Sequence, residues 1–133
     1  MIVCDASAVT EILVRTPLGL LVEDDLDSRA EPLVAPHLLD VEVVSALRGL
    51  VAGGRLEAHR IQEILQRLSD FPAERYSHLS LLERAWELRY NFTVYDAVYI
   101  ALAEATGGVL YTTDEKLRKG HRAKVRYFGG WVQ

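Results

Sequence analysis

Apolar residues fall in short bursts along this chain, and the bursts alternate between two periods. "MIVC" at the start is an unbroken apolar run of strand length, ended by Asp5. "ASAVTEILV" follows, with Val9, Ile12 and Leu13 on one helical face. Pro17 suits the first position of a helix and opens one over Leu18 to Asp27. "EPLVAPH" predicts a short strand between Pro32 and Pro36. A strong helix is predicted from Leu38 to Val51, stopped by Gly53 and Gly54, and an amphipathic one from Leu56 to Leu68. Pro72 breaks the chain. Helices follow over Leu79 to Tyr90 and over Tyr95 to Ala105, the second ended by Gly107 and Gly108. "VLYTT" is a buried strand with Asp114 just past it, "EKLRK" a short helix or turn, and "KVRYF" a last strand.

Strands alternating with helices predict a doubly wound α/β fold. The expected form is a three-layer α/β/α sandwich with a mainly parallel central sheet of four to five strands. The sequence has no internal repeat, low-complexity tract or linker, so residues 1–133 are expected to form one domain. In such folds ligands bind beyond the carboxyl ends of the strands.

Composition narrows the picture. Half of the 133 residues are hydrophobic and 26% are charged, the balance of a globular domain. A net charge of −4 argues against coating nucleic acid by bulk charge, so any such contact needs a local basic patch. The single Cys4 excludes an internal disulfide and a cysteine zinc site. No signal peptide and no apolar run of membrane-spanning length is present, which predicts a soluble, cytoplasmic protein with no membrane partner.

Four acids stand where the predicted elements would let them meet. Asp5 and Asp114 each follow a strand, and in a parallel sheet both would point into one crevice. Each also suits a cap or turn in its own right. Glu42 lies beside the main apolar face of its helix, with small Ala46 and Gly49 following at helical spacing, or is simply a favourable first-turn charge. Asp96 follows Thr93 as T-x-x-D, the spacing of a capping box. Gathered together, the four would repel: charges ~4 Å apart cost ~4 kcal/mol at an effective dielectric of ~20. Protons or a cation must relieve that. Oxygen ligands of this kind suit Mg²⁺ or Mn²⁺, and the chemistry that follows is metal-assisted phosphodiester hydrolysis.

The stretches "MIVCDAS", "APHLLDVEVVSALR", "LRYNFTVYDAVYIALAE" and "LYTTDEKL", in this order, resemble the PIN-domain ribonucleases, most closely the VapC-type bacterial toxins. The resemblance implies that Asp5, Glu42, Asp96 and Asp114 form the catalytic quartet that holds Mg²⁺ or Mn²⁺ and cleaves single-stranded RNA. It makes Ser7 and Thr112 supporting hydroxyls that order the acids or a metal-bound water. It also implies a cognate antitoxin partner and a homodimer, for which the helices Leu18 to Asp27 and Leu56 to Leu68 offer surfaces. Some members carry a further acid after the fourth. Glu115 is adjacent here but is expected to point elsewhere, and Asp40, two positions from Glu42, cannot face the same metal.

Six of the fifteen Lys and Arg residues lie between Lys116 and Arg126. Lys116, Arg118, Lys119 and Arg122 are therefore candidate RNA-backbone contacts, against the alternative of a solvated surface run. Tyr95, Tyr99 and Tyr127 are candidates for base stacking, Tyr99 being better suited to the core; Arg48 and Arg89 are further phosphate candidates. Trp86 and Trp131 are expected to pack, and the four histidines lack ligand spacing.

A receiver domain would want an acidic pair after the first strand, and a D-x-D phosphatase an acid at position 7, which is serine. The remaining alternative is a non-catalytic PIN-like module that binds RNA or protein.

Overall fold

A computed structural model of the protein describes residues 1–129. Trp131 lies outside the described residues. The elements run β1 (Ile2–Cys4), α1 (Ala6–Val14), α2 (Pro17–Arg29), β2 (Leu33–Pro36), α3 (Leu38–Ala52), α4 (Ile61–Asp70), β3 (Ala73–Tyr76), α5 (Leu82–Glu87), α6 (Val94–Thr106), β4 (Val109–Thr112) and β5 (Lys124–Tyr127). Short 3₁₀ turns precede α4 and α5 and follow β4.

The five strands form one sheet in the order β3-β2-β1-β4-β5, and every pairing is parallel. The layers are α/β/α. Helix α6, with α5 against it, crosses β1, β2 and β4, while α1 gathers α2, α3 and α4. The core runs from Ile2 and Val3 through Val34, Leu39 and Leu47 to Ile100 and Leu110, all almost fully excluded from solvent.

Two predicted helices change their bounds. The helix expected over Leu56 to Leu68 begins at Ile61, after a 3₁₀ turn at Ala58–Arg60, and that expected over Leu79 to Tyr90 shortens to Leu82–Glu87. Strand β3, "AERY", had no counterpart in the sequence pattern. It is an edge strand with only Ala73 buried, so it lacks the apolar run that marks β1 and β4. It pairs along its whole length with β2, and Arg75 secures it further: its guanidinium donates to the carbonyls of Leu68, Phe71 and Ala73 and pairs with Asp40 at 2.9 Å.

The strand order reverses between β1 and β4. The chain winds outward through β2 and β3, then returns through α6 to the other side of β1. In open α/β sheets that reversal opens a crevice at the carboxyl ends. Asp5 and Asp114 are placed at this crevice.

Candidate active site

Register brings the first two groups together. Cys4 pairs with Tyr111, and the Asp5 N–H donates to the Tyr111 carbonyl, so Asp5 and Thr112 meet at the ends of adjacent strands. The Thr112 hydroxyl donates to Asp5 Oδ2 at 2.5 Å; the Ser7 hydroxyl donates to Oδ1 at 2.6 Å, and the Ala8 N–H to the same oxygen at 2.9 Å. Asp5 therefore caps α1 and faces the crevice at once. The two hydroxyls are themselves oriented, Ser7 accepting from the Thr113 N–H and Thr112 from the Asp114 N–H. Burial pushes the Asp5 carboxyl up to about 6; the three hydrogen bonds oppose it, and the Asp96 charge adds to it.

Asp96 enters from the first turn of α6. Thr93 caps that helix by accepting from the Asp96 N–H at 3.1 Å, which leaves the carboxylate at the cleft. Burial and the neighbouring Asp114 both raise its pKa. Asp114 accepts from the Lys116 N–H and so starts the 3₁₀ turn after β4. Glu42 projects from the second turn of α3, its pKa raised by burial and by Asp96. All four acids line one cleft of about 790 Å³, together with Glu11, Ser7, Thr10, Tyr95 and Tyr99.

The other predicted residues are dispersed. None of Lys116, Arg118, Lys119 and Arg122 lines the cleft. Lys116 comes nearest, 3.9 Å from Asp114. Arg118 lies over the Tyr127 ring, Lys119 is exposed, and Arg122 is drawn to Glu104. Glu115 is exposed beside Arg118, and Asp40 is engaged by Arg75. Trp86, expected to pack, is 62% exposed.

Thr10, Glu11 and Tyr99 at the cleft were not singled out as acid-site neighbours by the sequence. The available signal was helical spacing: Thr10 and Glu11 stand three and four positions from Ser7, and Tyr99 stands three from Asp96. Tyr99 is 1% exposed, as a core residue would be, yet its hydroxyl faces the acids. Among the described residues, the buried oxygens Thr10 Oγ1, Glu42 Oε1 and Tyr99 Oη meet no partner of good hydrogen-bonding geometry, although Tyr99 is near enough to Glu42 to favour its charged form.

The donor chemistry suits a hard divalent cation. Every candidate ligand is an oxygen, the Asp96 charge raises the pKa of Asp5 and Glu42, and Glu42 Oε1 has no partner among the described residues. As they stand, no three of these side chains among the described residues converge closely enough to enclose one ion.

The family model for the PIN domain matches residues 2–122. The chain belongs to the PIN-domain family. Within it the similarity is to VapC-type proteins. Ribonuclease VapC12 of Mycobacterium tuberculosis is 37% identical over 127 residues, covering 94% of this chain and 97% of the relative. Ribonuclease VapC9 of the same organism is 41% identical over 120 residues, 88% of each chain. Among solved structures, PAE2754 from Pyrobaculum aerophilum superposes with a TM-score of 0.67 at 26% identity, covering 92% of this chain and 86% of that one. This PIN domain is therefore of the VapC type, and its acid-lined cleft lies where the parallel sheet reverses its strand order.

Proposed function

We propose that this protein, a single domain over residues 1–133, is a Mg²⁺- or Mn²⁺-dependent endoribonuclease. It cuts single-stranded or loop regions of RNA in the cytoplasm, as the toxin of a toxin–antitoxin pair. The observation that carries the reading is the meeting of Asp5, Glu42, Asp96 and Asp114 on one cleft, from four elements distant in sequence. Relatives named as VapC ribonucleases, similar over nearly the whole chain, support it.

Asp5, Glu42, Asp96 and Asp114 would hold the cation. When bound, it supplies charge to the scissile phosphate and a hydroxide nucleophile at neutral pH. The chain's own contribution is to aim the carboxylates. Ser7, Thr112 and the Ala8 N–H fix both oxygens of Asp5 before any ligand arrives. Thr93 and the α6 backbone fix the turn that carries Asp96. Lys116 beside Asp114 offsets some of the negative charge an incoming phosphate meets. The second reading is a non-catalytic binding module in which the acids serve as caps, as Asp5 does for α1 and Asp114 for the 3₁₀ turn after β4.

Cleavage of a mixed pool of structured RNAs with Mg²⁺, Mn²⁺ or EDTA, beside Asp96→Asn, separates the two. Metal-dependent cuts lost in the variant support the nuclease. A folded protein that cuts nothing in any metal favours the module. For the antitoxin, the apolar groove of about 380 Å³ between α3 and α4, lined by Val44, Val51 and Leu65, offers a contact face. The homodimer is tested by sedimentation, where a monomer across micromolar concentrations rejects it.

A further inference from the structure

The end of α5 carries a stack with no evident role in the fold. The Arg89 guanidinium lies 4.1 Å from the centre of the Trp86 ring and 4.4 Å from that of Tyr90. It is held there by bonds to the Trp86 carbonyl at 2.9 Å and the Tyr90 hydroxyl at 3.0 Å. Trp86 is 62% and Tyr90 83% exposed, so both rings face solvent. No carboxylate pairs with Arg89 among the described residues, whereas nearby Arg84 is paired twice.

A short stretch of chain joins the stack to the cleft. Tyr90 precedes Asp96 by six residues, a span of at most about 22 Å even if fully extended. Between them comes Tyr95, 61% exposed and itself lining the cleft. In the turn between them the Phe92 ring meets His121 at 5.8 Å, so the basic segment that follows Asp114 lies against the same turn.

We infer that Trp86, Arg89 and Tyr90 form a stacking platform for the bases of single-stranded RNA, continued by Tyr95 into the acidic cleft. This rests on the ribonuclease reading above. Exposed aromatic rings beside an uncompensated guanidinium suit a ligand with π-faces and negative charge. Protein contact has an apolar alternative at the α3–α4 groove, lined by Val44, Val51 and Leu65. The strong negative field of the four acids also makes an outlying cationic foothold useful: it lets a polyanion engage before it reaches the cleft.

The test uses the full chain and a short fluorescein-labelled single-stranded RNA, in EDTA so that cleavage does not intervene. Trp86→Ala, Arg89→Ala and Tyr90→Ala are each expected to weaken binding about five-fold or more. Trp86 and Tyr90 are exposed and Arg89 is half-buried, and thermal melting verifies that the variants fold. In a Trp131→Phe background Trp86 is the only tryptophan, and its fluorescence should be quenched by single-stranded RNA and not by a duplex of the same sequence. In the metal-dependent assay the variants should raise KM and spare kcat. Unchanged binding and KM, with wild-type cleavage intact, would overturn the platform and leave the nuclease standing. A dimer that falls apart in the variants while RNA binding persists would also overturn it, making the face a contact between copies. A wild-type protein that cuts nothing in any metal rejects the ribonuclease reading instead.

Discussion

Asp5 and Thr112 are 107 residues apart in the chain and joined by a hydrogen bond at the ends of two neighbouring strands. Thr112 is fully buried and Asp5 nearly so. Thr112→Val keeps the shape and removes the donor, leaving one oxygen of a buried carboxylate unpartnered. The expected loss is about 1–3 kcal/mol of stability, read by denaturant unfolding in the absence of metal. A variant as stable as the wild type would show that Asp5 does not depend on this hydroxyl.

Asp5 gives the protein a defined pH dependence. Its carboxyl, ordinarily near 3.8, stands at about 6 when folded. Between those values the folded state binds more protons than the unfolded one. The associated stability is complete below about pH 4 and is lost as pH rises through 6. Asp5→Asn removes this dependence, so its stability relative to wild type should improve from pH 4 to pH 7, by up to about 3 kcal/mol. Metal-free unfolding across that range checks it. Asp25 carries the opposite sign: although partial burial works against it, hydrogen bonds from Arg29, Tyr111 and Arg126 hold it at about 2, so its contribution is lost only in strong acid.

Gly19 sits where α2 crosses the end of α1. A Cβ there would meet the Glu11 carbonyl oxygen at 1.9 Å and Ile12 N at 2.7 Å, both backbone atoms that cannot move aside cheaply. Gly19→Ala is therefore expected to cost roughly 3 kcal/mol or more, above the usual range for overpacking. Gly49→Ala, with open space around the added carbon, is the matched control and should be close to neutral or stabilising. Thermal melts of the two variants side by side decide it.

Arg75 secures the edge strand. Arg75→Ala should cost about 2–4 kcal/mol, since it releases three main-chain carbonyls and Asp40 together. Hydrogen exchange should report the loss first at β3 and the end of α4. Asp40→Asn, which keeps the carbonyl contacts, should cost less.

The sequence by itself determined the α/β/α class, because apolar bursts of strand and helix period alternate along it. It also made Asp5, Glu42, Asp96 and Asp114 legible as a set, since each occupies a strand end or an early helical turn. Strand β3 was not legible: an exposed edge strand needs no apolar signature, and its anchor, Arg75, bonds to carbonyls that any sequence supplies. Trp86 was misjudged for a related reason. Hydrophobicity says that a ring favours burial, and only packing says whether a layer exists to cover it. Likewise the six cations after Asp114 form one run in sequence, yet the fold sends Arg122 to Glu104 and Arg126 to Asp25. What the tertiary structure alone decided is which of these groups share a cleft. Strand register sets Thr112 against Asp5, 107 residues away, a relation that a one-dimensional pattern does not contain.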